Sequence, residues 1–521
     1  MLIQNEVENF NVEAVNSGLK KKRPSLYAAR KKIFPKRAYG SFRRLKWIIM
    51  AVTLSIYYLT PWLRWDRGSF APDQAVLVDL ANRRFYFFFI EIWPQEFYYV
   101  AGLLIMAGLG LFLITSVAGR VWCGYTCPQT VWVDLFLVVE RFFEGDRNQR
   151  MALDKAPWTL SKIWKRVAKH STWLVIAILT GGAWIFYFAD APTLLGQLVH
   201  FDAPSVAYST IGILTATTYI FGGLMREQVC TYMCPWPRIQ AAMLDENSLV
   251  VTYNDWRGEP RSRHQKKAIA QGLPVGDCVD CKACVAVCPM GIDIRQGQQL
   301  ECITCALCID ACNGVMERVG RDRGLISYAT LSDYNANMAR AKDAEGHIVP
   351  SKVRDATGKL RDGFVHFRWR EMVRLRTLIY LGIWLLIGLL MVASLATRDR
   401  LGAAVAHDRN PLYVRLSDGS IRNGYTLKIS NMVTVPRDFS VSISGLTGAT
   451  LELPGVVMRD DRSVVLRAEP DRVLTQRVLV IAPTEALAEP RHEFTFVISD
   501  VNGGERTTID AVFEAPEDVA R

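Results

Sequence analysis

Five stretches of this chain stay apolar long enough to cross a bilayer: 46–63, 97–117, 172–189, 205–224 and 377–396. A helix needs about 20 mostly apolar residues to span the hydrocarbon core, so the pattern predicts five transmembrane helices. A sixth apolar run, 129–143 ("QTVWVDLFLVVERFF"), is shorter and is interrupted by Asp134 and Glu140. It reads as an interfacial helix or one packed beneath the bundle, not as a span. After Arg400 the period becomes alternating. "YTLKIS" (425–430), "FSVSIS" (439–444), "RVLVIA" (477–482) and "FTFVIS" (494–499) are separated by Gly, Asn, Asp and Pro, which predicts a β-sandwich of about 100 residues.

The chain has 521 residues and is half hydrophobic. That is too long for one compact domain and suits a membrane protein carrying soluble parts. The net charge of +11 could point to nucleic acid, but the basic residues lie in particular loops and no nucleic-acid motif accompanies them. No nucleic-acid partner is expected. Segment 1–46 holds twelve Lys/Arg, including "KKKR" at 20–23; 118–171 holds nine and 191–204 none. The positive-inside rule then makes the N-terminus cytoplasmic. Alternation places 118–171 and 225–376 inside, and 64–96, 191–204 and 397–521 outside. The first twenty residues are polar, with Glu6, Glu8 and Glu13 and no apolar core, so no signal peptide is expected.

The cysteines carry the chemistry. Cys278, Cys281, Cys284 and Cys288, followed by Pro289, form C-x2-C-x2-C-x3-C-P; Cys302, Cys305, Cys308 and Cys312 repeat the spacing with Asn313 in place of proline. This is the run of a bacterial two-cluster ferredoxin, in which each fourth cysteine ligates the other cluster. One 4Fe-4S cluster is expected on Cys278, Cys281, Cys284 and Cys312, the other on Cys302, Cys305, Cys308 and Cys288. Zinc sites use two cysteine pairs and do not need the doubled run. Disulfides are disfavoured in a reducing cytoplasm. Gly291, Ile292 and Gly314 fit the small turns of that fold, and Asn313 costs a rigid turn residue but no ligand.

Four cysteines remain. "GRVWCGYTCPQTVW" (119–132) and "EQVCTYMCPWPRIQ" (227–240) repeat C-x3-C-P, each just after an apolar run. Residues i and i+4 share a helical face, so Cys123 with Cys127 and Cys230 with Cys234 could each present two thiolates, with a chain break at Pro128 and Pro235. Two such pairs in equivalent topology form a candidate redox or metal site of four soft ligands, suited to Cu(I), zinc or a third iron-sulfur centre. Met225 and Met233 would soften it further, although either reads first as a packing residue, as a buried cysteine also can.

Other side chains promise less. The histidines at 170, 200, 264, 347, 366, 407 and 492 are scattered and predict no transmembrane haem pair. Glu91 and Glu96 stand near the outer end of the second apolar run, where an ionisable residue can mark a proton or quinol site but more simply reads as interfacial. No G-x-G-x-x-G follows a strand, so no nicotinamide or flavin site of the usual kind is expected, and electrons must come from a partner or a quinol.

The strings "GRVWCGYTCPQTVW", "YMCPWPRIQAAMLDENSLVVTYNDWRGEPR", "GIDIRQGQQLECITCALCIDAC" and "RNPLYVRLSDGSIRNGYTLKISNM" resemble the FixG/CcoG (RdxA-like) family along nearly the whole chain. The resemblance implies a bacterial inner-membrane ferredoxin-like protein with a C-terminal Ig-like domain, involved in assembling cbb-type cytochrome c oxidase. It further implies cupric reduction, with copper handled by Cys123, Cys127, Cys230 and Cys234 as catalytic and metal-binding residues.

The expected architecture is therefore a multi-domain membrane protein. It comprises a basic cytoplasmic N-terminus (1–45), a four-span domain (46–224), an α+β ferredoxin-like domain (225–329), a charged cytoplasmic linker (330–376), a fifth span (377–396) and a periplasmic Ig-like all-β sandwich (397–521). The expected function is electron transfer from an unidentified donor to copper, with oxidase assembly factors or a copper chaperone as partners. A quinol dehydrogenase-like subunit and a non-catalytic assembly scaffold are the alternatives.

Overall fold

All five long apolar runs fold as helices in this computed structural model, which describes residues 32–68, 71–355, 359–365, 367–368, 372–454, 463–487 and 489–516. The "KKKR" segment, Glu6, Glu8, Glu13 and His366 lie outside the described residues. The helices are Ser41–Leu59, Tyr98–Ala118, Leu160–Ile185, Ser205–Thr218 and Leu375–Thr397. Among the described helices, Pro94–Ala118 and Leu375–Thr397 are long and apolar enough to cross a membrane. The other three differ for visible reasons. Ser41–Leu59 opens on Arg43, Arg44 and Lys46, Leu160–Ile185 begins within the basic "KIWKRVAKH", and Ser205–Thr218 passes into a π-helical turn at Tyr219–Met225.

That π-turn has a packing cause. Phe136 and Trp173 stack with ring centroids 5.4 Å apart, and a Cβ on Gly222 or Gly223 would meet these rings at 3.0 Å. Two adjacent glycines let the backbone come close, and such pairs are where helices bend.

The run 129–143 is the helix Pro128–Glu144, packed inside the protein with Val131, Phe136 and Leu137 buried. Its buried carboxylates are all paired. Asp134 meets Arg43 at 2.8 Å, Glu140 meets Arg150 at 2.8 Å and Arg226 at 3.0 Å, and Glu144 meets Lys169 at 2.8 Å. Burial alone would raise Glu140, but Arg226 and Arg150 outweigh it and hold the carboxyl down at about 2. Removing one partner of a buried pair like Arg43 and Asp134 typically costs about 3–5 kcal/mol, because the other charge stays buried.

Arg43 also joins this helix layer to the ferredoxin. Its backbone N–H donates to Asp310 Oδ2 at 2.8 Å, and that of Phe42 to Asp310 Oδ1 at 3.3 Å. The first N–H groups of a helix lack intrahelical partners, and here a carboxylate from a distant domain caps them. Gly40, at φ +156°, gives Asp310 room that a side chain would fill.

The ferredoxin pairs the antiparallel strands Val250–Tyr253 and Ile326–Ala329, with Val250 opposite Ala329, and packs the helices Ala283–Val287 and Leu307–Arg318 beside them. Segment 330–376, expected as a linker, is instead largely folded onto this domain. It contains the helix Leu331–Ala341 and a small core in which Phe364 stacks on Trp256 at 4.6 Å while Ala341 and Val353 are buried. Many of its charged residues, among them Arg340, Glu345, Lys352 and Lys359, are exposed, which is why composition alone suggested a linker.

The C-terminal part is a sandwich of two antiparallel sheets. One orders Thr450–Glu452, Arg472–Ala482, Ile421–Asn431 and Leu401–His407, with Val414–Arg415 added; the other orders Ser463–Ala468, Arg437–Ser444, Arg491–Asp500 and Arg506–Glu514. All four alternating sequence runs are strands. Their inward residues, among them Tyr425, Leu427, Phe439, Val480 and Phe496, form its core.

This sandwich meets the three-stranded sheet Val76–Asp79, Arg84–Phe87 and Ile90–Ile92 at an ionic joint. Arg84 pairs with Asp471 at 2.5 Å and Glu91 at 3.0 Å. Arg398 pairs with Glu96 at 2.9 Å and donates to the Glu91 carbonyl at 2.8 Å. Glu91 and Glu96 thus hold the interface together. Burial, with the charge of Asp471, raises Glu91 from 4.5 to about 8; Arg84 and Arg398 only partly offset this. A carboxyl raised on folding binds more protons in the folded joint than in the free chain, so its stability falls as pH rises from 4.5 to about 8. Hydrogen exchange in the Arg84–Phe87 strand should therefore be faster at about pH 9 than at about pH 6 relative to distant strands, and Glu91→Gln should flatten that difference.

Candidate metal centres

The doubled cysteine run bends its backbone the same way twice. Asp280 and Lys282 flank Cys281 with φ of 43° and 56°; Thr304 and Ala306 flank Cys305 with φ of 55° and 58°. Non-glycine residues rarely adopt left-handed conformations, and such strain clusters at functional sites. Here the paired turns sit on either side of the second cysteine of each run. After Cys288, Pro289 follows the end of the helix Ala283–Val287; after Cys312, Asn313 lets the helix run on to Arg318. Asn313 Oδ1 accepts the Gly324 N–H at 3.0 Å, tying this longer helix to the loop before the last strand of the domain.

Two adjoining cavities result. One is lined by Cys278, Cys281, Cys284 and Cys312; the other by Cys302, Cys305, Cys308 and Cys288, with Cys284 in the wall between them. The fourth cysteine of each run does cross to the other set. Burial pushes Cys284 up to about 11 and Cys288 and Cys312 up to about 12, with neighbouring thiols adding to the rise for the latter two, and it raises Cys308 well above the usual range. Four such thiols ionise together only around a compensating cation. The residues fit two 4Fe-4S clusters.

The four remaining cysteines also converge, but not as facing helical pairs. Cys123 lies in the short helix Val121–Tyr125 and Cys230 in the π-turn Val229–Met233, whereas Cys127 and Cys234 are extended at ψ 127° and 124°. The residue before proline is driven out of the helical region, so each second cysteine leaves the face shared with the first. Tertiary packing joins the two motifs. Burial pushes Cys123 up to about 11 and Cys230 up to about 12, and each feels the charge of Cys127 and Cys234. Arg120, buried beside Cys123, pulls the other way. Cys123 Sγ donates to Gln240 Oε1 at 3.1 Å, and Gln240 in turn donates to Thr115 at 3.2 Å. Met233 is half exposed.

This third site leans directly on the second cavity. A Cβ on Gly124 would meet the Ile303 carbonyl oxygen at 2.6 Å and the Cys305 Cα at 3.0 Å. Tyr125 donates to the Cys305 carbonyl at 3.2 Å and Tyr328 to the Thr304 carbonyl at 2.9 Å. Cys123, Cys230, Cys288, Cys305 and Cys308 share one buried cluster. Sequence reasoning missed Arg120, Gln240 and both tyrosines because their roles depend on long-range packing; Arg120 and Tyr125 had a local signal, three residues before and two residues after Cys123. The described histidines sit elsewhere. His170 bonds Tyr219 at 2.8 Å, His407 bonds Asn423 at 2.8 Å, and His492 accepts from the Glu489 N–H at 3.2 Å. His200, His264 and His347 are exposed.

Comparison with known proteins agrees with these centres. A family described as "4Fe-4S dicluster domain" matches residues 225–331, one described as "4Fe-4S binding domain" matches 100–144, and one described as an "IG-like fold at C-terminal of FixG" matches 391–516. Fold and centres together define an iron-sulfur electron-transfer protein with a C-terminal Ig-like domain. The chain is 64% identical over 511 residues to the nitrogen fixation protein FixG of Rhizobium meliloti, covering 98% of this chain and 97% of that protein. It is also 55% identical to protein RdxA of Cereibacter sphaeroides (82% and 86% covered) and 52% identical to RdxB of the same organism (94% and 97% covered). The chain belongs to the FixG family.

The crossed ligand sets make a spectroscopic prediction. Cys312→Ala should remove the same electron paramagnetic resonance signal as Cys278→Ala, and Cys288→Ala the same as Cys302→Ala, each with loss of about half the iron. Pairing of Cys312 with Cys302 instead would contradict the cavity assignment.

Proposed function

We propose that this protein reduces Cu(II) to Cu(I) at the site formed by Cys123, Cys127, Cys230 and Cys234, for assembly of a cbb-type cytochrome c oxidase. The observation that supports it most is the backbone contact of Gly124 with Ile303 and Cys305, which sets the four-thiol site directly against a cluster cavity. The 4Fe-4S clusters supply single electrons when bound. Copper is the substrate: Cu(II) gains one electron and no atom is transferred. Thiolates are soft ligands that favour Cu(I) over Cu(II), so the four cysteines pull the couple toward product. Loading a cation there also displaces protons from thiols that burial holds protonated.

In this reading the five helices span a bacterial inner membrane, with the N-terminus and ferredoxin in the cytoplasm and the sandwich in the periplasm. The sandwich is a docking module for oxidase assembly factors or a copper chaperone. A second reading has one supporting observation: the match of 100–144, which contains Cys123 and Cys127, to a 4Fe-4S binding family favours a third cluster on the same four thiols.

The test is anaerobic addition of Cu(II) to the dithionite-reduced, desalted protein. One Cu(I) should form per cluster electron lost, read with a Cu(I) chelator and by cluster absorbance. Cys123→Ser with Cys230→Ser should weaken copper binding by at least about tenfold while leaving both cluster signals intact. Gly124→Val, which pushes the two loops apart, should slow cluster reoxidation by Cu(II) without changing cluster content. No Cu(I), or a loss of a third iron-sulfur signal in the serine variant, would overturn copper reduction at this site.

A further inference from the structure

A cleft of about 510 Å³ opens beside the ferredoxin, and its lining includes none of the twelve cysteines. Small-molecule sites are clefts of about 300–1,000 Å³ with mostly apolar walls and a few polar groups. Leu244, Val250 and Leu331 line this one together with Tyr334.

Its walls are shared with both cluster cavities. Val251 and Ile294 line the cleft and the Cys302, Cys305, Cys308 and Cys288 cavity. Tyr253 and Arg295 line the cleft and the Cys278, Cys281, Cys284 and Cys312 cavity. An occupant would be one side chain from each of two single-electron acceptors.

The charges select the occupant. Among the described residues lining the cleft, Arg295 is the one cation, and its guanidinium is engaged by Asp280 and Asp293, each at 2.6 Å. It leaves no free cation for a phosphate, which disfavours a nucleotide carrier. Three carboxylates line it: Asp245, with which Arg374 pairs at 2.7 Å, Glu246 at the exposed rim, and Asp255, which accepts from the Tyr334 hydroxyl at 2.7 Å. These suit a neutral donor that must release protons.

The position completes the argument. Ser248 Oγ donates to the Ser116 carbonyl at 3.0 Å, and Arg374 bonds both Asp245 and that carbonyl at 2.7 Å. One wall of the cleft is thereby fixed to the ends of Tyr98–Ala118 and Leu375–Thr397, the two helices long and apolar enough to cross a membrane. A lipid-soluble carrier would reach it from the bilayer edge.

We infer that this cleft is the entry site for a hydroquinone that supplies the electrons. The hydroquinone loses two electrons and two protons to become quinone; each cluster takes one electron, and Glu246 and Asp255 pass the protons to water. The inference rests on the electron-transfer reading of the clusters but not on copper as acceptor.

The test runs the reaction backwards, without copper. Dithionite-reduced, desalted holoprotein is mixed anaerobically with a short-chain quinone, and a photoreactive azidoquinone is used to label the same preparation. Quinone should reoxidise the clusters, and label should map to 244–255, 294–298 or 331–334. Leu331→Trp and Gln298→Trp place bulk in the cleft from exposed positions. Each should lower both labelling and quinone reoxidation by about tenfold, with cluster signals and reoxidation by hexacyanoferrate unchanged. Label mapping elsewhere, quinone reoxidation indifferent to both variants, or protection from labelling by flavin mononucleotide or a nicotinamide nucleotide would overturn the inference. Failure of Cu(II) reduction alone would overturn only the copper reading.

Discussion

The arrangement of the cysteine sites depends on one backbone contact. Gly124 lies against the Ile303 carbonyl and the Cys305 Cα with no room for a side chain. The loop that carries Cys123 therefore approaches the loop that carries Cys305 as closely as two main chains can, which in the proposed reading keeps the electron's path short. Glycine permits this, and the Tyr125 and Tyr328 hydroxyls secure it by bonding carbonyls of the cluster loop. The buried helix Pro128–Glu144 starts immediately after Cys127 and supplies a rigid platform for the contact. Its ion pairs to Arg43, Arg150, Arg226 and Lys169 draw in the surrounding helices.

What the sequence made legible followed from short-range rules. The cysteine spacing anticipated how the thiols are grouped in the two cavities, with the fourth cysteine of each run lining the other run's cavity, and the same local turn is used in both runs. The strands of the sandwich followed from alternation, with inward residues such as Leu427 and Phe496 fully buried. The C-x3-C-P pairs were found by the same reasoning and misread in detail. Helical periodicity put both thiols on one face, whereas proline removed the second cysteine from the helix and packing between distant segments restored the four-thiol group. The segment after residue 330 misled for a related reason: a charged exposed face hides a small core around Trp256 that only the folded partner surface completes.

Charge is treated differently at the two ends of the long helices. Near the four-thiol site, carboxylates such as Glu140 meet several cations and stay ionised. At the joint with the sandwich, Glu91 and Asp471 share Arg84, and burial raises both. The first arrangement is rigid across the ordinary pH range; the second responds within it. The sandwich is therefore held by a contact that titrates near neutral pH, whereas Glu140 of the buried helix does not.

The Asp310 carboxylate that closes the head of Ser41–Leu59 comes from 267 residues further along the chain. During synthesis that helix emerges long before its cap exists, and the cap takes its place only when the helix Leu307–Arg318 has formed around Cys308 and Cys312. Completion of the first helix thus waits on the folding of a segment 267 residues away. Until then the first N–H groups of Ser41–Leu59 have only water to satisfy them.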